Sequence, residues 1–232
     1  MTAPTTSTFA AQRRIGIFGG AFDPPHLAHQ ALAQAALAQF ELDTLLLIPT
    51  GQAWHKSRAL TSAEHRLAMV RLAFADLPKV HIDAREIHRA GPTYTYDTLL
   101  ELRTEHPQAH FFLFIGGDQA QAFSSWYQWQ GILQLATLVI AQRGAPTHAQ
   151  WHNKDLHDGP ASEAALRTHL SSATLHMPEM PCNATDIRAS VRQGQPLSQW
   201  LSPSVWHYIQ QQGLYLTNNP STPTSTSPNQ PR

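Results

Sequence analysis

Residues 16–29 read Gly-Ile-Phe-Gly-Gly-Ala-Phe-Asp-Pro-Pro-His-Leu-Ala-His, and their reading decides the fold. The β-rich run at residues 14–18 stops at Gly19-Gly20. Behind it, Ala28, Leu32, Ala35 and Ala36 recur at helical spacing within residues 26–40. The string is therefore a strand, a glycine turn and the start of a helix. In an open parallel sheet, ligands bind at the carboxyl ends of the strands, where this turn sits. Gly19 and Gly20 lack Cβ, so their backbone N–H groups can approach a ligand closely. The helix start behind them favours anions. His26 and His29 lie three apart, on one face of the first helical turn. Two imidazole donors there can bind phosphate oxygens and stabilise charge that develops during phosphoryl or nucleotidyl transfer. Gly-Gly turns are common, and an HxxH pair arises by chance in a chain with 14 histidines. The whole string, with Asp23-Pro-Pro ahead of the first histidine, is harder to explain by packing alone.

Outward from this unit, strand and helix patterns alternate. Residues 43–49 hold Leu45-Leu46-Leu47-Ile48, an apolar run suited to a buried parallel strand. Thr61-Ser-Ala-Glu64 reads as a capping box, followed by Ala63, Leu67, Val70, Phe74 and Leu77 at helical spacing. A short strand is expected at 79–84 and a helix at 95–105, stopped by Pro107. Residues 110–115 form the next apolar strand and again end in Gly-Gly. A helical stretch at 118–133, a strand at 136–142 and a short helix at 162–170 follow. Ser202-Pro203 and Gly213 bracket a last helix as N-cap, N1 and C′. This alternation predicts an α/β domain with a doubly wound, mostly parallel sheet covered by helices on both faces.

Residues 217–232 carry four prolines, seven Ser or Thr and no large apolar residue, so a disordered tail is expected. Residues 1–12 are expected to be flexible, which leaves 13–216 as a single folded domain. The 232 residues, 42% hydrophobic, suffice for a real core. Cys182 is the one cysteine, which excludes an internal disulfide and a cysteine-based zinc site. Sixteen basic residues balance sixteen acidic ones, so bulk charge gives no reason to bind nucleic acid or an anionic membrane. The longest apolar run, residues 111–115, is far short of the ~20 residues of a membrane span. No signal-peptide pattern stands at the start, and a soluble cytoplasmic protein is the expectation.

GGAFDPPHLAH resembles the GGTFDPxHxGH signature of the HxGH nucleotidyltransferases, closest to bacterial nicotinate-nucleotide adenylyltransferases. The resemblance extends over the folded body, because further blocks recur in order. It implies a Rossmann-like nucleotidyltransferase fold. It also implies a reaction: Mg-ATP adenylylates nicotinate mononucleotide, giving nicotinate adenine dinucleotide and pyrophosphate, with Mg2+ accompanying ATP. By the same resemblance His26 and His29 contact ATP phosphates, and Gly19, Gly20, Phe22 and Asp23 form the turn around them. Ala21, Ala28 and Gln30 depart from the signature's Thr or Ser, Gly and apolar residue.

The other blocks carry the remaining candidates. Trp54-His55-Lys56 follows the second strand, and the family's equivalent His and basic residue reach ATP phosphates; a lysine in such a loop is otherwise a solvated charge. Pro92-Thr-Tyr-Thr-Tyr-Asp-Thr98 resembles the family's P-S-Y-T-x-x-T-L block, which places Thr95 and Tyr96 at the nicotinate carboxylate and Tyr94 among the substrate-binding residues; the plainer reading is a helix cap with aromatic packing. Asp118, after Ile115-Gly-Gly, can accept from ribose or hold magnesium through water, or else cap a helix. Trp126-Tyr127 matches the family's pair beside the nicotinate ring, while Trp129 reads as packing. Asn183-Ala-Thr-Asp-Ile-Arg188 resembles I-S-x-T-x-I-R, with Asn183 in place of Ser. There Thr185 is read as helix cap and phosphate donor, and Arg188 as a charge-assisted fork to phosphate. Arg143 is placed near ATP, or else is an ordinary surface arginine. Lys56 and Arg188 join the two histidines as the catalytic set.

Competing readings have distinguishing marks. A pantetheine-phosphate adenylyltransferase would share the first block without the 92–98 and Trp126 blocks. An aminoacyl-tRNA synthetase would add a KMSKS-like loop and a basic surplus, neither of which is present. A nucleotide-binding sensor would bind ATP without turnover. A histidine-rich metal protein would purify with metal. The expected partners are ATP and nicotinate mononucleotide, and a homo-oligomer is compatible with the sequence.

Overall fold

The computed structural model describes residues 12–51, 60–143 and 173–216. The expected flexible ends, the loop residues His55 and Lys56, and the helix expected at 162–170 fall outside these, apart from residue 12. Six strands are described: β1 Arg14–Gly20, β2 Thr44–Pro49, β3 Val80–Ile82, β4 His110–Gly116, β5 Thr137–Arg143 and β6 Thr174–Met177. They pair in the order β3-β2-β1-β4-β5-β6, and every pairing is parallel. The helices are α1 Leu27–Gln39, α2 Ala63–Phe74, α3 Arg85–His88, α4 Thr95–Glu105, α5 Gly117–Gln121, α6 Trp129–Leu135, α7 Ala184–Arg192 and α8 Pro203–Gln211.

Strand periodicity divides the core into two layers. Phe18, Leu45, Leu47, Phe112, Phe114, Val139 and Leu175 face one side, against α1, α2, α7 and α8. Ile15, Ile17, Ile48, Phe111, Leu113, Ile115, Leu138 and Ile140 face the other, against α4, α5 and α6. Successive side chains of a strand point to opposite faces, so continuous apolar runs serve both layers. The doubly wound reading holds on both counts.

Strand order reverses between β1 and β4, and there the sheet opens. The two strands pair only as far as Ile17 and Leu113. Beyond that point β1 stays with β2 through Gly20, and β4 stays with β5 through Gly116. The splayed ends form the crevice expected at a topological switch point. Among the described residues, nothing lies within 4 Å of where a side chain on Gly116 or Gly117 would stand. The glycines at the end of β4 therefore leave that side of its floor open.

Some local expectations are corrected. The cap of α2 is Ser62, which accepts from the His65 N–H, one residue later than the expected Thr61. The stretch at 118–133 is two short helices around a 3-10 turn at Phe123–Ser125. The Ser125 hydroxyl turns back to the Ala122 carbonyl, and Gln128, the N-cap of α6, takes a left-handed φ of 52°, which separates the two helices. The short elements α3 and β6 were not anticipated. By contrast α4 spans the expected residues, and Ser202, Pro203 and Gly213 bracket α8 as read, with Gly213 at φ 60°.

Candidate active site

The turn that leaves β1 brings His26 to the N-cap of α1 and His29 to its third residue. Their rings stack, with centroids 3.7 Å apart. The His26 backbone N–H donates to His29 Nδ1 at 3.1 Å. A neutral His29 therefore carries its proton on Nε2, so that edge is a hydrogen-bond donor. His26 is buried, and its Nδ1 lies 3.6 Å from the buried Cys182 Sγ. When that thiol donates, His26 also presents Nε2–H. No acidic residue stands in the first turn of α1, which keeps its field favourable to anions.

Three departures from the family's pattern, Ala28, Gln30 and Asn183, have structural accounts. The Ala28 methyl lies in the core with Phe22 and Leu32. The Gln30 amide donates to the Ala73 carbonyl at the end of α2. Asn183, and not Thr185, caps α7: its side-chain oxygen accepts from the Asp186 N–H at 2.9 Å. Thr185 instead accepts from Arg188 Nη2 at 3.2 Å, while Arg188 Nη1 donates to the Asp23 carbonyl at 2.7 Å. The guanidinium is thus held against the same turn that carries the histidines. That arrangement can bind and stabilise a polyphosphate between a helix start and a fixed cation.

Two residues that sequence reasoning missed hold this turn. Arg66 on α2 is 1% exposed. Its guanidinium donates to the carbonyls of Thr61, Ala21 and Gly51 at 2.9, 3.0 and 3.1 Å. Tyr215 donates its hydroxyl to Asp23 Oδ1 at 2.7 Å. Burial and the adjacent Asp23 carboxylate push the Tyr215 hydroxyl far above its ordinary range, so it stays a donor. In the sequence only an arginine within the α2 pattern, and a tyrosine two residues past a helix-ending glycine, stood where a signal could be found.

A second group gathers at the start of α4, which follows α3. Tyr94 is the N-cap, and no side chain caps the helix. The first-turn N–H groups, from Thr95 and Tyr96 onward, have no intrahelical acceptor. The rings of Tyr94 and Tyr127 lie 4.6 Å apart, and those of Tyr96 and Tyr127 lie 6.2 Å apart. Tyr96 also packs on Gly131, where a Cβ would stand 2.5 Å from its ring. Tyr127 therefore joins α4, whereas Trp126 packs on Phe123 of the core. Asp118 is exposed at the second residue of α5, whose N-cap is Gly116, so the reading of Asp118 as cap is not met. Arg143 ends β5. Among the described residues, no group of three or more metal-ligating side chains forms a cage. No helix among them is long and apolar enough to cross a membrane.

Behind α4, Glu86 is buried and accepts from the Thr98 hydroxyl at 2.9 Å. Burial pushes its carboxyl above the ordinary range, against the pull of Thr98 and Arg89. The folded state then holds the proton more tightly than the unfolded chain. This contribution to stability declines as pH rises from the ordinary glutamate range through the folded value. Glu86→Gln keeps an acceptor for Thr98 and cannot ionise. It is expected to melt above wild type at pH 7, with the gain vanishing near pH ~4. An equal gain in melts at both pH values would contradict this account.

A family model described as cytidylyltransferase-like matches residues 17–190. A protein of Albidiferax ferrireducens named probable nicotinate-nucleotide adenylyltransferase is 48% identical over 88% of this chain and 99% of its own length. One of Methylibium petroleiphilum with the same name is 38% identical over 92% of this chain and 98% of its own. Among solved structures, Plasmodium falciparum nicotinic acid mononucleotide adenylyltransferase complexed with APC superposes with a TM-score of 0.66 at 18% identity, over 88% of this chain and 98% of that one. The same enzyme complexed with NaAD gives a TM-score of 0.65 at 18% identity, over the same shares of the two chains. At that identity the structures speak for the nucleotidyltransferase fold alone. The sequence relatives go further, since the match covers about nine-tenths of this chain and nearly all of theirs, and this chain belongs to the nicotinate-nucleotide adenylyltransferase family.

Proposed function

We propose that residues 13–216 form one domain that transfers the adenylyl group of Mg-ATP to nicotinate mononucleotide in the cytoplasm, giving nicotinate adenine dinucleotide and pyrophosphate. A phosphate oxygen of the mononucleotide attacks the α-phosphorus of ATP in line. The bond from that phosphorus to the bridging oxygen of the β-phosphate breaks, and pyrophosphate leaves with the bonding pair. No covalent enzyme intermediate is needed, so catalysis is positioning and charge stabilisation. The observation that carries this reading is the stacked His26–His29 pair at the start of α1, faced by Arg188 across the signature turn.

His26 and His29 direct N–H donors at the triphosphate, and Arg188 neutralises charge that grows on the departing pyrophosphate. Lys56 and His55 complete the phosphate clamp, with Thr185 and Arg143 beside it. Gly19, Gly20, Phe22 and Asp23 shape the turn, and Asp118 takes ribose hydroxyls or a water of the magnesium ion. Magnesium enters as the ATP complex and offsets triphosphate charge. Thr95 and Tyr96 offer backbone N–H groups to the nicotinate carboxylate. Tyr94, Trp126 and Tyr127 flank the ring. An uncapped helix start favours a carboxylate over a neutral amide, so nicotinate is preferred to nicotinamide.

Pyrophosphate release tests the reading, with Mg-ATP and nicotinate mononucleotide, nicotinamide mononucleotide or phosphopantetheine in separate reactions. Fast release is expected with nicotinate mononucleotide alone. Fast release with another acceptor would reassign the substrate. ATP binding with no release would leave a nucleotide sensor.

A further inference from the structure

The signature turn is held from the far end of the chain. After α8, Gly213 turns the backbone left-handed at φ 60°, and Tyr215 follows at φ 66°. A tyrosine in that region costs on the order of 1 kcal/mol and persists only where its surroundings impose it. The segment is seated by the Leu214 N–H on the Ile209 carbonyl at 3.0 Å and by the buried Leu214 side chain. The tyrosine ring packs on the core layer, and its hydroxyl reaches Asp23 Oδ1, 192 residues away, at 2.7 Å. Asp23 is 2% exposed. Its other carboxylate oxygen accepts from the Thr61 N–H at 3.4 Å. Phe22, next to it, is also left-handed at φ 47°. The Asp23 carbonyl accepts from Arg188 Nη1 at 2.7 Å. One residue thus joins the C-terminal turn, the end of the 51–61 segment and the phosphate-facing arginine.

Resting on the adenylyl-transfer reading, we infer that Tyr215 is a positioning residue: through Asp23 it sets where Arg188 meets the ATP phosphates. The hydroxyl fixes the rotation of the Asp23 side chain, and with it the backbone unit whose carbonyl holds Arg188. Removing the hydroxyl leaves the ring in its packing and frees that unit to rotate. The loss then falls on ATP and not on the acceptor, because the acceptor's candidate contacts stand on α4 and beside α6.

The test is Tyr215→Phe in the full chain. The expected result is a roughly tenfold loss in kcat/KM for ATP, with KM for nicotinate mononucleotide changed less than about twofold. In an Arg188→Lys background the same substitution is expected to cost less than about twofold, since both acts fall on one contact. Calorimetric titration with Mg-ATP supplies a readout that needs no turnover. It is expected to show a weaker Kd for Tyr215→Phe, and so remains decisive if the chain proves to bind ATP without reacting. A chain ending at Leu216 is expected to match the full chain, and one ending at Leu214 to reproduce the ATP defect; these serve if the Phe variant fails to fold. Unchanged ATP parameters would overturn the assignment. So would an undiminished loss in the Arg188→Lys background, or an equal rise in both KM values with a lower Tm.

Discussion

His29→Ala is expected to lower kcat for adenylyl transfer at least about 10²-fold while leaving the fold intact, by comparison with the loss of a preorganised oxyanion donor. His29 is half-buried at the third residue of α1, and its Nδ1 is occupied by the His26 N–H. The remaining ring edge is thus a fixed donor, in place before charge develops and needing no reorganisation when it does. Alanine removes that donor, the stacking partner of His26 3.7 Å away, and ring contacts with Phe18 and Phe22 at 5.9 and 5.1 Å, a packing loss that better helix propensity offsets in part. The check is single-turnover kinetics beside circular dichroism and melting of the variant. Turnover near wild type would remove His29 from the catalytic set. Loss of turnover together with the fold would show that the His26–His29 pair is chiefly structural.

The second large effect is on stability. Arg66→Met is expected to cost about 2–4 kcal/mol, which for a domain of this size lowers Tm by roughly 10 °C. Two terms compete. Removing a buried cation returns its desolvation cost, and a well-packed apolar substitute can be neutral. Against that, three carbonyls in three places, those of Ala21, Gly51 and Thr61, lose one common donor. Each carbonyl left without a partner costs on the order of 1–3 kcal/mol, so the second term wins. Arg66→Lys keeps the charge, but a point donor cannot span the three acceptors, and most of the loss should remain. Thermal and urea melts decide it. A Met variant melting within about 2 °C of wild type would mean that solvent or a rearranged turn replaces the guanidinium.

Much of this protein was legible in the chain because the signals were local. Gly-Gly after an apolar run is a local mark of a strand end, and in this chain both such runs end at the crevice. The run Thr95–Glu105 and the Ser202-Pro203 start of the last helix follow from caps and stops that act within a few residues. The resemblance carried by His26, His29, Thr185 and Arg188 named the family, because the spacing of donors along a helix start is itself a local property.

Tertiary structure decided what depends on partners far apart in sequence. No local pattern tells that Asn183 caps α7 while Thr185 turns to Arg188, because both residues are good caps and only the packed turn chooses. Arg66 stands in the α2 pattern with no local sign of its role, which is to serve the carbonyl of Ala21, 45 residues away. Tyr215 stands two residues past the helix-ending Gly213, and only the fold brings its hydroxyl to Asp23. Chain order and elementary propensity determine which elements form and where the sheet offers its edge. Which side chains lock that edge is set by burial, since a polar group removed from water must find a partner wherever the fold supplies one.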